Sequence, residues 1–139
     1  MKPTDTSPEK TSAEERASTL AAAYAAAYEA KDAAAYLSLF SNDADYFDFA
    51  VQIHARIKQL REELRRSFQR EEFDLAFHSS FVSSNGRFAA LKGTYSDLAR
   101  SGDRSSVPLA AILEFQDGKI IKEILYYDGS LFKRHLHAA

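Results

Sequence analysis

The chain contains no cysteine. Disulfide staples, thiolate nucleophiles and cysteine-ligated zinc are therefore excluded. Proline is scarce, with three in 139 residues. Two of them, Pro3 and Pro8, lie in the polar first dozen residues, so positions 1–12 read as a flexible tail. The third, Pro108, cannot donate to a strand ladder and marks a strand start or a bulge. There is no basic excess: 18 Lys and Arg stand against 20 Asp and Glu, for a net charge of −2. That balance argues against a nucleic-acid partner. Lys58–Glu62 and Glu62–Arg66, spaced four apart, read as a solvated helix face rather than a basic patch. No stretch approaches the roughly 20 apolar residues of a membrane span, and the N-terminus has no apolar run of a secretory signal. A cytoplasmic protein with no membrane partner is the expectation. His54, His78, His135 and His137 are scattered, so no metal site is expected.

What is present is a 45% hydrophobic chain of one-domain length. From Ala13 the spacing of Leu20, Tyr24, Ala27 and Tyr28 predicts a helix. Lys31-Asp32 breaks it, and Asp32 is placed to cap a second helix running to Phe40. DADYFDFA alternates as a strand, with Tyr46 and Asp48 on one face and Asp45 and Phe47 on the other. A third helix is predicted over about Ala55 to Arg70, with Ile57, Leu60, Leu64 and Phe68 as its apolar stripe.

After Glu72 the period becomes two. Asn85-Gly86 and Asp117-Gly118 predict tight hairpins of the type that needs positive φ at both central positions. Helices first and hairpin-linked strands last predict an α+β domain over residues 13–139. Its curved antiparallel sheet wraps three helices and leaves a cone with one internal pocket. Apolar residues on both faces of LAAILEF and IIKEILYY predict that the outer sheet face is covered by a second copy, giving a homodimer.

The segments YAAAYEAKDAAAYLSLFSNDADYFD, HARIKQLREEL and FQDGKIIKEILYYD, in that order, resemble the nuclear-transport-factor-2-like superfamily. It includes SnoaL-like polyketide cyclases, ketosteroid isomerases and limonene epoxide hydrolases. The resemblance covers about Ala13 to Leu136. It implies a pocket for a small hydrophobic molecule and no cofactor. Tyr24 falls at the isomerases' oxyanion tyrosine and Asp48 at their general base, while their second oxyanion acid falls near Ala111. Against the epoxide hydrolases, Tyr46 and Asp48 fall at the water-orienting pair and Asp97 and Asp128 at the flanking aspartates. Tyr95 stands where those enzymes keep a bridging arginine. Against the cyclases, Asp128 falls near the acid/base aspartate.

Asp48, Asp97 and Asp128 are thus the candidate catalytic residues, and Tyr24, Tyr46, Tyr95 and Tyr126 the candidate substrate contacts. Aspartate within a strand, as at Asp48, is disfavoured unless it faces an edge or a pocket. Strand alternation groups Ile124, Tyr126 and Asp128, which predicts that Asp128 faces the cavity. The expected activity is carboxylate acid/base chemistry: isomerisation, cyclisation, dehydration or epoxide hydrolysis. The alternative is a non-catalytic binding or dimerisation module of the same fold.

Overall fold

A computed structural model of the chain describes residues 8–132. Helix α1 spans Pro8–Glu29 and α2 spans Ala33–Ser38. Strand β1 (Phe40–Asp48) follows, then β2 (Ile53–Arg56), a 3-10 turn over Ile57–Leu60, and α3 (Arg61–Phe68). The remainder is β3 (Asp74–Val82), β4 (Phe88–Leu98), β5 (Arg104–Gln116) and β6 (Lys119–Tyr127). The six strands form one curved, unclosed sheet in the order β2-β1-β6-β5-β4-β3. The expected α+β architecture is present. All its neighbouring strands pair antiparallel except β1 and β6, which pair parallel.

Helix α1 buries Ala17, Ala21, Tyr24, Ala27 and Tyr28. The small residues of that stripe let the helix axis approach the sheet closely, and the two tyrosines reach into the core beyond them. The helix begins at Pro8, inside the span expected to be tail; proline suits a first turn because its missing N–H has no helical partner there. Positions 1–7, and His135 and His137, lie outside the described residues. Asp32 caps α2, accepting from the Ala35 amide at 3.0 Å. The third predicted helix begins later than its apolar stripe suggested. Ile57 and Leu60 are buried, but Ile53–Arg56 ahead of them pairs with β1 as a strand.

The two Xxx-Gly turns differ. Asp117 and Gly118 both have positive φ (54° and 75°), as the two-residue hairpin requires. At the other, only Gly86 does (72°). Its loop is wider, closed by Gly86 N–H to the Ser83 carbonyl at 2.9 Å. Gly86 also lies so close to Ala13 that a Cβ there would sit 2.5 Å from its carbonyl oxygen, so the turn seats the start of α1. Pro108 lies within β5, one residue beyond Leu109–Tyr127, the end of the pairing with β6. The strand there has a neighbour on the β4 side, through Thr94.

Gly93, opposite Phe77 beside the β3–β4 bulge, is fixed by sterics. A Cβ would stand 2.4 Å from the Ala76 carbonyl oxygen. Gly93→Ala is expected to destabilise the fold by about 1–3 kcal/mol. Chemical denaturation of the two proteins checks this, and equal midpoints would contradict it.

Candidate functional site

A cavity of about 80 Å³, partly open to solvent, lies between α3 and the inner face of the sheet. It holds roughly five to eight water-sized spheres. Leu64 and Phe68 of α3 form one wall, and Leu109, Leu125 and Phe132 are on the others. Polar side chains line this apolar setting at few points, among them Asp48, Arg70, Tyr28, Tyr46, Tyr95 and Tyr127.

Asp48 ends β1 with its side chain inward, 3% exposed. Its Oδ1 accepts from the Ala50 amide at 3.1 Å. The Tyr46 and Tyr127 hydroxyls each donate to Oδ2 at a long 3.4 Å. Burial pushes the carboxyl up to about 6, against the pull of these amides and phenols. The expectation that Tyr46 and Asp48 share an inward face holds.

Asp97 is fully buried, and burial alone would raise its pKa. The opposite effect wins. Arg70 grips both carboxylate oxygens, Nη1 at 2.9 Å from Oδ2 and Nη2 at 2.5 Å from Oδ1. Tyr95 donates to Oδ2 and the Leu98 amide to Oδ1. The Asp97 carboxyl is therefore held below the usual range. It is absent from the pocket wall, which its partners Arg70 and Tyr95 line. An arginine does bind this aspartate, but it comes from the segment after α3, and Tyr95 adds to it rather than replacing it.

Three expectations are corrected. Asp128 does not face the cavity. It is exposed, and its Oδ1 accepts from the Ser130 amide at 3.0 Å, which holds its pKa below the usual value. Tyr126 is 46% exposed and stacks on Phe49 at 5.2 Å on the outer face. The cause is parity: Glu123, Leu125 and Tyr127 are the inward set of β6, so their even-numbered neighbours point out. Tyr24 is wholly buried, but it bonds Glu123 instead of lining the pocket.

Glu123 is the group that sequence reasoning missed. It has no exposed surface. Tyr36 donates to Oε1, and Tyr24 donates to Oε2, which Tyr28 also approaches at 3.4 Å. Burial pushes its carboxyl up to about 7; the phenols pull it back and the nearby Asp48 charge pushes it further up. A signal was available, since a glutamate in mid-strand between Ile121 and Leu125 breaks the strand preference in the way Asp48 does. Its neighbour Lys122 makes the pair read as surface. Among the described residues no group of three His, Asp or Glu is placed to hold a metal ion, and no helix is long and apolar enough to cross a membrane.

The profile of the SnoaL-like domain matches residues 21–123. The chain belongs to the SnoaL-like domain family. Among solved structures, this SnoaL-like chain is similar to a protein with a ketosteroid isomerase-like fold from Catenulispora acidiphila, determined in complex with trimethylamine. The two are 21% identical over 81% of this chain and 87% of that one, with a TM-score of 0.67. A putative polyketide cyclase from Pseudomonas putida is 23% identical over 80% and 90% of the two chains, with a TM-score of 0.63. Bal32a, from a soil-derived mobile gene cassette, is 16% identical over 83% and 91%, with a TM-score of 0.71. At these identities the likeness establishes the fold. No curated protein matches the chain.

Because Asp48 is protonated more readily folded than unfolded, its contribution to stability falls as pH rises from 3.8 through about 6. Above that window the penalty is roughly 3 kcal/mol. Asp48→Asn, which has no charge to bury, is expected to be more stable than the parent at pH 8 and to lose that advantage at pH 4. Melting temperatures at the two pH values check this; an advantage independent of pH would overturn the assignment of the shift to Asp48.

Proposed function

We propose that the protein is a small-molecule pocket enzyme in which Asp48 acts as general base on a small hydrophobic substrate. One observation carries this reading. Asp48 is a desolvated carboxylate on the wall of an apolar cavity, and its partners are backbone amides and two phenols rather than a cation. Asp97, by contrast, is matched by Arg70, and Glu123, bonded by phenols alone, is absent from the cavity wall. A base poised near 6 is partly free to take a proton at neutral pH. Tyr46 and Tyr127 orient Asp48, and the apolar walls desolvate it. Arg70 and Tyr95, locked on Asp97, shape the far side. Isomerisation, cyclisation, dehydration and epoxide hydrolysis all use a base so placed. Asp97 serves by holding Arg70 and Tyr95, and Asp128 serves as a turn cap.

Carboxyl-carbon NMR tests the base directly. A resonance with a midpoint near 6 is expected, and it should vanish in Asp48→Asn. A midpoint near the ordinary value of about 3.9 for Asp48 would remove the basis for acid/base chemistry and leave a binding module. With any compound that the protein turns over, Asp48→Asn should lower the rate by about 10²-fold or more.

We also propose that the outer face of β1 and β6 docks a second copy of the chain. Phe47 stacks on His54 at 3.9 Å there, and the exposed Phe49–Tyr126 pair continues the apolar strip. Sedimentation at micromolar concentration should give about twice the 15.6 kDa chain mass, and Tyr126→Glu should shift it toward monomer. A parent chain that sediments as a monomer would refute the interface.

A further inference from the structure

Glu123 and its three tyrosines are buried, titratable and unused by the chemistry above. Glu123 lies on β6 with Tyr46 of β1 as its parallel register partner. The titratable groups that act on it are Tyr24 and Tyr28 of α1, Tyr36 of α2, and Tyr46 and Asp48 of β1. Tyr24 and Tyr36 close tightly on the carboxylate, one on each oxygen. Tyr28 shares Oε2 at 3.4 Å, the longest of the three contacts. Of the three, Tyr28 alone also lines the cavity.

Proton counting sets the consequence. An ionised Glu123 offers only acceptors, and all three phenols can donate to it. A protonated Glu123 carries a donor of its own, so one of the phenols must accept and turn its proton elsewhere. Tyr24 and Tyr36 are wholly buried, away from the cavity, and each has the short contact. Tyr28 has the loose contact and the cavity as an alternative direction. We propose that Glu123 is a positioning residue for the pocket: when protonated it releases the Tyr28 hydroxyl to donate to an acceptor oxygen of the bound molecule, and when ionised it draws that donor back to itself. This rests on the pocket reading above and names a feature of its ligand, an oxygen acceptor placed at Tyr28 while Asp48 faces the reacting hydrogen or water. The one proton gained or lost is that of Glu123 itself, exchanged with solvent as pH changes; Tyr28 keeps its own proton, and only the direction of its O–H bond changes. With Asp48 titrating at about 6 and Glu123 at about 7, the state with an ionised base and a released donor is populated between these values.

Glu123→Gln tests it, because glutamine keeps the shape and holds a permanent donor, fixing the released state. The probe is cyclopentanone, a neutral ketone of pocket size, with binding followed by NMR as a function of pH. In the parent, affinity should fall by about fivefold as pH rises through 7, the worth of one hydrogen bond. In Glu123→Gln the affinity should be flat and equal to the parent's low-pH value; in Tyr28→Phe it should be flat and equal to the high-pH value. Asp48→Asn should keep the step but move it to lower pH, since it removes a charge that raises Glu123. A merely structural glutamate predicts no step in the parent, or the same step in Glu123→Gln, and either result overturns the inference. The ring-carbon resonance of Tyr28 bearing the hydroxyl supplies a readout that needs no ligand. It should step near pH 7 in the parent and not in Glu123→Gln. That step with no ketone binding would place the failure in the pocket reading rather than in the Glu123 switch, and its absence in the parent would overturn the switch outright.

Discussion

The interior is organised around one buried carboxyl group. Glu123 ties α1, through Tyr24 and Tyr28, and α2, through Tyr36, to the central strand β6. The tyrosine rings that reach it are themselves packed edge to face, Tyr28 against Tyr24 at 5.2 Å and against Tyr36 at 5.0 Å. Helix position, ring orientation and hydroxyl direction are therefore settled together. A polar group in a core specifies where its neighbours sit only when it is fully satisfied, and here three phenols satisfy it. The apolar remainder of the helix–sheet interface could tolerate a slide; this cluster could not without orphaning a carboxyl group in a dry interior.

The second polar centre works differently. Arg70 and Asp97 form a charged pair with two-point geometry, joined by Tyr95. Arg70 follows α3, and its backbone carbonyl also accepts from the Lys31 ammonium at 2.8 Å. The end of α3 is thus fastened both to β4 and to the α1–α2 corner. The cavity is lined by Tyr28 from the first centre and by Arg70 and Tyr95 from the second; the first titrates near neutral pH and the second is held ionised. Asp48 is hydrogen-bonded within neither centre, although its charge acts on Glu123.

The fold was legible in the sequence because its signals are local. Asp32 capped where its spacing said it should, and Tyr46 and Asp48 alternated inward as read. Asp117-Gly118 made the tight turn. What was misread depended on non-local facts. The short β2 strand has little pattern of its own and exists because β1 offers it an edge. The placing of Asp128 failed on a single choice of strand face, and a one-residue error in parity exchanges every inward and outward side chain of β6. The same choice hid Glu123. Its neighbours Lys122 and Glu114 look like ordinary surface charges, and the three tyrosines that satisfy it lie about 90 residues away in sequence, beyond any spacing argument.

The raised carboxyls at Asp48 and Glu123 have a consequence in proton stoichiometry. At a pH between the unfolded and folded values of both groups, the unfolded chain holds them ionised and the folded chain holds them protonated. Folding in mildly acidic buffer therefore draws roughly one to two protons from solution. Its apparent enthalpy then includes the ionisation heat of whatever buffer supplies them, so calorimetric enthalpies measured in buffers of different ionisation heat will differ by an amount that counts those protons.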